Sequence, residues 1–333
     1  MLAGMRTIAH PLVQAKGLVK SFALRSQAFE RPVSVRALDQ VDIEVYPGET
    51  VAVVGESGSG KSTLGRALLM LDPPTSGSVR FDGQELVGLA EKALRPLRRR
   101  MQMVFQDPFG SLNPRMTVRD ILAEPFLIHG LTRSSAELES KIGELLDSVR
   151  LPRSAAERYP KQFSGGQRQR VSIARALALS PDFVVADEPV SALDVSIQAQ
   201  ILRLLAELRQ ARGLAYLFIA HNLAVVRLIA DRVVVMYFGK VVESADRDSL
   251  YERAAHPYTR ALIDASPVPD PAIEASRSRI TLPGEVPSPS VKTSGCVFRS
   301  RCSRAAERCA HEVPPLRTID TGHRVACHFP IGG

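Results

Sequence analysis

Short, almost wholly apolar runs alternate along the first 240 residues with longer segments whose apolar positions recur every three or four residues. Thr50-Val-Ala-Val-Val54, Phe183-Val-Val-Ala186, Ala215–Ala220 and 232–238 are of the first kind, the pattern of strands buried on both faces. The second kind predicts helices. One spans 61–71 and stops at Asp72-Pro73-Pro74. Another spans 196–210, where Ile197, Ile201, Leu204, Leu205 and Leu208 form a stripe, and a third spans 222–230. Arg80-Phe81-Asp82-Gly83 reads as a strand running into a turn. Residues 107–179 read as mostly helical, with breaks at Pro114, Pro125, Gly130 and Pro152. This succession implies a parallel sheet covered by helices and interrupted by a helical insertion.

The pattern changes after Ser266. Pro267, Pro269, Pro271, Pro283, Pro287 and Pro289 predict an extended linker, and a tail with all four cysteines follows. The expected division is 12–250 as a core domain, with a helical part at about 107–180, and 251–333 as an extension.

Composition narrows the class. A chain of 333 residues with 45% apolar and 23% charged residues suits a water-soluble core. No stretch approaches the ~18 apolar residues a spanning helix needs; the candidate 213–226 is short and holds His221 and Asn222. The first fifteen residues lack a secretory pattern, so a cytosolic protein is expected, serving a membrane only through partners. The net charge of +8 suits anionic ligands or surfaces. Arg98-Arg99-Arg100 has no interleaved aromatics and reads as a solvated face, so no nucleic-acid partner is expected.

Gly55-Glu-Ser57-Gly58-Ser59-Gly60-Lys61-Ser62 fits the phosphate-loop pattern between a strand and a helix. The glycines free backbone N–H groups to face phosphates at a helix N-terminus. Lys61 would contact the β- and γ-phosphates, Ser62 would bind Mg²⁺ and Thr63 would approach the α-phosphate. Asp187 and Glu188 end a buried strand. Asp187 would hold Mg²⁺, and Glu188 would polarise the attacking water.

Phe163-Ser164-Gly165-Gly166-Gln167-Arg-Gln-Arg170 precedes a predicted helix and closely resembles the signature sequence of ABC ATPases. The resemblance covers about 12–265. It implies an α/β, P-loop NTPase (RecA-like) ABC nucleotide-binding domain with an antiparallel β subdomain, a helical subdomain and a Cys-containing C-terminal extension. It further implies that Ser164, Gly165, Gly166 and Gln167 meet the γ-phosphate held by a second subunit. Gln106 matches the loop glutamine that senses Mg²⁺, Asp194 the loop after the carboxylates, and His221 the γ-phosphate switch. Phe22 matches the adenine-stacking aromatic, although one Phe is as readily a core residue. The implied activity is ATP hydrolysis.

Met103-Val-Phe-Gln-Asp-Pro-Phe-Gly-Ser-Leu-Asn-Pro-Arg115 and His256-Pro257-Tyr258-Thr259-Arg260-Ala261-Leu262 resemble the peptide-importer branch, and the wording around Gln106 and in Leu69–Gly83 resembles its F-type subunit in particular. That implies a paralogous D-type ATPase partner, two transmembrane permease subunits and an extracytoplasmic peptide-binding protein. The location implied is the cytoplasmic face of a bacterial inner membrane. Related importers carry nickel complexes or glutathione, and other ABC ATPases act on DNA or ribosomes; the latter carry paired ATPase halves, long coiled coils or zinc insertions. Cys296, Cys302, Cys309 and Cys327, spaced C-x5-C-x6-C-x17-C, suit a metal centre but lack the close pair usual at zinc. The resemblance implies a 4Fe-4S cluster there. Zn²⁺, with His311, His323 and His328 as further donors, and unligated thiols stay as the alternatives.

Overall fold

The computed structural model describes residues 10–24, 33–266 and 294–332. The chain forms two compact units. The first joins Met1–Val45, Thr50–Val87 and Ala220–Gly333; the second joins Tyr46–Glu49 and Gly88–Ile219. Residues 267–293, where the linker was expected, lie outside the described residues.

The first unit begins with β1 (Val13–Leu24), β2 (Val33–Val45), β3 (Thr50–Val54), helix α1 (Lys61–Leu68), β4 (Ser76–Phe81) and β5 (Gln84–Glu85). β1, β2, β4 and β5 make an antiparallel sheet in the order β2-β1-β4-β5. In β2, Val41, Ile43 and Val45 face inward while Asp42 and Glu44 alternate with them, the period-two signal of a half-covered strand. Leu38 is buried too, out of phase by one, because Gln40 adopts φ 57° and the β1–β2 register shifts there. Asp82 and Gly83, with φ 51° and 78°, form the two-residue turn of the β4–β5 hairpin, the geometry that favours Asp-Gly.

β3 is buried at every position and pairs parallel with β9 (Arg232–Tyr237). β9 turns back antiparallel into β10 (Lys240–Asp246). The tail supplies β11 (Arg317–Asp320) and β12 (His323–Val325), and β12 pairs with β10. These tail strands were not anticipated. They give the first unit the strand order β11-β12-β10-β9-β3.

The second unit holds three parallel strands, β6 (Met101–Val104), β7 (Phe183–Asp187) and β8 (Ala215–Ala220), in the order β8-β7-β6. Its helical part comprises α4 (Val118–His129), α5 (Ser135–Ser148) and α6 (Gly165–Leu177), and α7 (Val195–Arg212) follows β7. Ile201, Leu204, Leu205 and Leu208 are buried along α7 as the stripe predicted.

Two helix bounds differ from expectation. The helix expected over 61–71 stops at Leu68, because Met70 turns left-handed at φ 52° and Leu71 N–H closes onto Arg66 C=O. Pro125 does not break its segment but lies within α4, which Gly130 ends at φ 60°. Among the described residues no helix is long and apolar enough to cross a membrane.

Candidate functional site

In the first unit, buried β3 delivers the chain into residues 55–60 and then into α1. Two glycines there are sterically required. A Cβ on Gly55 would lie 2.2 Å from the Met236 carbonyl oxygen, and one on Gly60, at φ 102°, would lie 2.4 Å from that of Ala37. The loop is thus pressed against the end of β9 on one side and β2 on the other. Lys61 is 5% exposed. Its Nζ donates to the carbonyls of Gly55 and Glu56, both at 2.8 Å, and lies 3.4 Å from Ser59 Oγ. No side chain caps α1 at Gly60, so the N–H groups of its first turn, where Ser62 and Thr63 are half-buried, face outward for an anion. Ser57 and Gly58 are exposed at the loop's tip.

His221 is also exposed, immediately before Asn222, whose side chain caps helix α8 (Leu223–Ile229). Phe22 lies on β1, 38% exposed, with Lys20 Nζ 5.1 Å from its ring centre. It is therefore not a core residue, and the Lys20 ammonium stands over its ring.

In the second unit, Asp187 is 2% exposed at the end of β7. Glu188 follows with φ 45°, a conformation that costs a non-glycine residue about 1–3 kcal/mol. Its N–H still donates to Ile219 C=O at 3.0 Å, so the strand pairing continues while the carboxylate leaves the sheet. Gln106 Nε2 donates to Glu188 Oε2 at 2.9 Å, and Ser191 Oγ donates to the Glu188 carbonyl at 3.1 Å. Gln106 and Glu188, 82 residues apart in sequence, are thus brought into direct contact.

Ser164 caps α6 reciprocally. Its Oγ accepts from Gln167 N–H at 3.3 Å and its N–H donates to Gln167 Oε1 at 3.1 Å. A Cβ on Gly166 would come within 2.5 Å of Ile197 Cγ2, and one on Gly165 within 3.3 Å of Leu193 Cδ2. Ile197, placed by its spacing in the core stripe of α7, is half-exposed and instead packs under the signature turn. Asp194 stands exposed just before α7 and makes no side-chain cap. Arg168, missed by motif reading, stacks 3.9 Å above the Phe109 ring and donates to the Pro160 carbonyl at 2.7 Å.

The tail gathers the four cysteines in the first unit. Cys296 and Cys309 are buried, joined by a backbone hydrogen bond of 2.8 Å, and Cys302 and Cys327 are half-buried. Burial pushes the thiols of Cys296, Cys302 and Cys327 up, the last to about 11, and the neighbouring cysteines add to the effect. Among the described residues no three His, Cys, Asp or Glu side chains form a site for a metal ion. Two of the histidines expected as further zinc donors each have a ring nitrogen engaged. His323 Nε2 lies 2.7 Å from Glu243 Oε1, and His328 Nε2 lies 3.0 Å from the Glu312 carbonyl.

Comparison with known proteins agrees with this arrangement. Residues 38–191 match the family described as ABC transporter, and 242–309 match the oligopeptide/dipeptide transporter, C-terminal region. A putative peptide import ATP-binding protein of Brucella ovis is 50% identical over 317 residues, 95% of this chain and 97% of that protein. The chain is an ABC-transporter ATP-binding protein. Another relative of this ABC ATPase, the oligopeptide transport ATP-binding protein AppF of Bacillus subtilis, is 49% identical over 96% of the chain and 97% of its own length. Among solved structures, the ATP-binding cassette MJ0796 in a dimeric post-hydrolysis state with ADP and Pi matches with a TM-score of 0.64. It is 31% identical and covers 71% of this chain and 98% of its own.

Proposed function

We propose that this ABC ATPase powers import of di- and oligopeptides. It would act as the F-type subunit beside a D-type paralogue, at the cytoplasmic face of a membrane holding two permeases, with a binding protein outside. The observation that carries the solute class is the match of 242–309 to the oligopeptide/dipeptide transporter C-terminal region, supported by the likeness to AppF. No residue here contacts the solute, so the substrate class follows the relatives. Membrane fractions should retain the chain together with two permeases; recovery on DNA or ribosomes instead would favour a non-transport role.

The chemistry follows from the side chains. Phe22 stacks on the adenine. The loop Gly55–Lys61, with Ser57, Gly58, Ser59 and Gly60, wraps the phosphates in N–H donors. Lys61 exchanges the Gly55 and Glu56 carbonyls for the β- and γ-phosphates. Ser62, Gln106 and Asp187 would hold Mg²⁺, which would supply neutralisation of the phosphate charge. Glu188, steadied by Gln106, orients the water for in-line attack, and His221 contacts the γ-phosphate. Ser164, Gly165, Gly166, Gln167 and Asp194 face the nucleotide of the opposite subunit, as in a head-to-tail dimer. Glu188→Gln is expected to keep ATP binding and lower turnover by roughly 10²–10⁴-fold. Turnover near that of the parent would remove Glu188 from this role.

We assign a 4Fe-4S cluster to Cys296, Cys302, Cys309 and Cys327. Support comes from four thiols carried on one short tail, near enough that Cys302, Cys296 and Cys309 each help to push the Cys327 thiol up. Its role there would be structural. Chain purified without air should be brown with about four irons; colourless chain with stoichiometric zinc would end this assignment.

A further inference from the structure

Glu56, the second residue of the phosphate loop, is gripped from three directions within the first unit. Its carbonyl accepts from Lys61 Nζ at 2.8 Å. Its N–H donates to Tyr258 Oη at 2.8 Å, from helix 257–265. Its carboxylate receives Arg301 Nη1 at 2.7 Å, from a residue 245 positions away and only 7% exposed. Both the Tyr258 and the Arg301 contacts come from the C-terminal extension. Arg301 lies between Cys296 and Cys302 in sequence, and its Nη1 is also 3.5 Å from the hydroxyl of Tyr237, one of a knot of aromatic rings. Phe298 stands edge-on to Tyr237 at 5.2 Å and packs 5.3 Å from Tyr258.

A lone carboxylate in a loop that must receive three or four phosphate charges would oppose its ligand. With the Glu56 side chain 24% exposed, water screens that opposition only in part. A guanidinium locked onto that carboxylate removes the repulsion and fixes the loop segment whose carbonyl Lys61 uses. We infer that Arg301 is a positioning residue for nucleotide binding: through it, the cysteine-bearing tail neutralises and orients Glu56 in the phosphate loop. This rests on the reading of residues 55–62 as the ATP loop.

The test is equilibrium binding of a fluorescent ATP analogue with Mg²⁺ to the full chain. Arg301→Met should weaken binding by about 10-fold, and Arg301→Lys, which keeps the charge without the planar fork, by less. Adding Glu56→Gln to Arg301→Met should restore binding to within about 3-fold of the parent, since no uncompensated carboxylate remains. A tail that merely stabilises the fold would lower the melting temperature of Arg301→Met but would not be rescued by Glu56→Gln. Arg301→Met binding within about 2-fold of the parent, or a defect unchanged in the double variant, would overturn the inference. Glu56→Gln alone keeps the loop's shape and gives the charge effect even if Arg301→Met folds poorly. The control is Lys61→Ala: if the parent binds no better than it does, the reading of the ATP loop fails first, and that outcome is separate from the others.

Discussion

On the proposed function two helix starts in this chain meet phosphate, and they are built differently. At α1 no side chain caps the helix, glycines hold the loop against β2 and β9, and Lys61 Nζ lies across the cradle. At α6 the chain has already satisfied itself, because Ser164 and Gln167 cap each other. The first is a standing site that needs only Lys61 to swing. The second must exchange an internal hydrogen bond for an external one, a near-neutral trade that becomes favourable once a partner's phosphate is presented. On that proposal, a standing site would bind ATP in the single chain, and a conditional one would report that a second subunit has arrived.

The sharpest way to break this contrast is Gly60→Ala. With φ 102° and the Ala37 carbonyl 2.4 Å from the new Cβ, the loop must move, and single-chain ATP binding should fall by more than about 10²-fold by nucleotide titration. Retained binding would mean that the cradle is not preformed.

Acid should separate the two regions next. Buried His256 has its pKa pushed down to about 4 by desolvation, with the neighbouring Glu243 carboxylate partly opposing. Its Nδ1 accepts from Tyr258 N–H, so the neutral ring caps the helix whose Tyr258 holds Glu56. Between about pH 6.5 and 4 the unfolded chain binds a proton that the folded chain refuses. Stability is therefore whole above about 6.5 and falls as pH drops, by on the order of 3 kcal/mol in total. Urea unfolding at pH 7 and pH 5 measures it, and His256→Asn should flatten the slope. An unchanged slope would show that His256 is not the group involved.

A smaller effect is expected of Gly166→Ala. Ile197 must give way to its methyl, so ATP-driven pairing of chains should weaken by about 10-fold in sedimentation while single-chain binding holds. Equal loss of both would erase the distinction between the two sites. Smallest of all, Ser164→Ala should lower stability by about 1 kcal/mol through loss of the cap, read from the urea midpoint.

What could be read in advance was whatever lay close together along the chain. The spacing Gly55 to Ser62, the pair Asp187-Glu188 and the turn Ser164–Gln167 each sit at the junction of two elements, where local pattern and chemistry coincide. Contacts that join distant segments left no such trace. Nothing in the neighbourhood of Arg301 points to Glu56, and Ile197 carries the same helical spacing as the core residues beside it. The α1 terminus escaped because Met70 takes a left-handed turn that glycine or asparagine usually signals. The cysteine spacing suggested ligands, but the histidines near it were already committed to Glu243 and to the Glu312 carbonyl.

The fully buried Glu243 carboxylate carries a practical lesson for shortening this chain. It accepts from the N–H groups of Ala255 and His256 at 2.7 and 2.9 Å, and its third neighbour is His323, on the strand that covers the free margin of β10. Cutting the chain ahead of residue 294 would strip that cover, wetting a sequestered acid and baring a row of unpaired backbone groups. Loss of solubility in such a truncated protein would then report an unprotected sheet margin, whatever the cysteines hold.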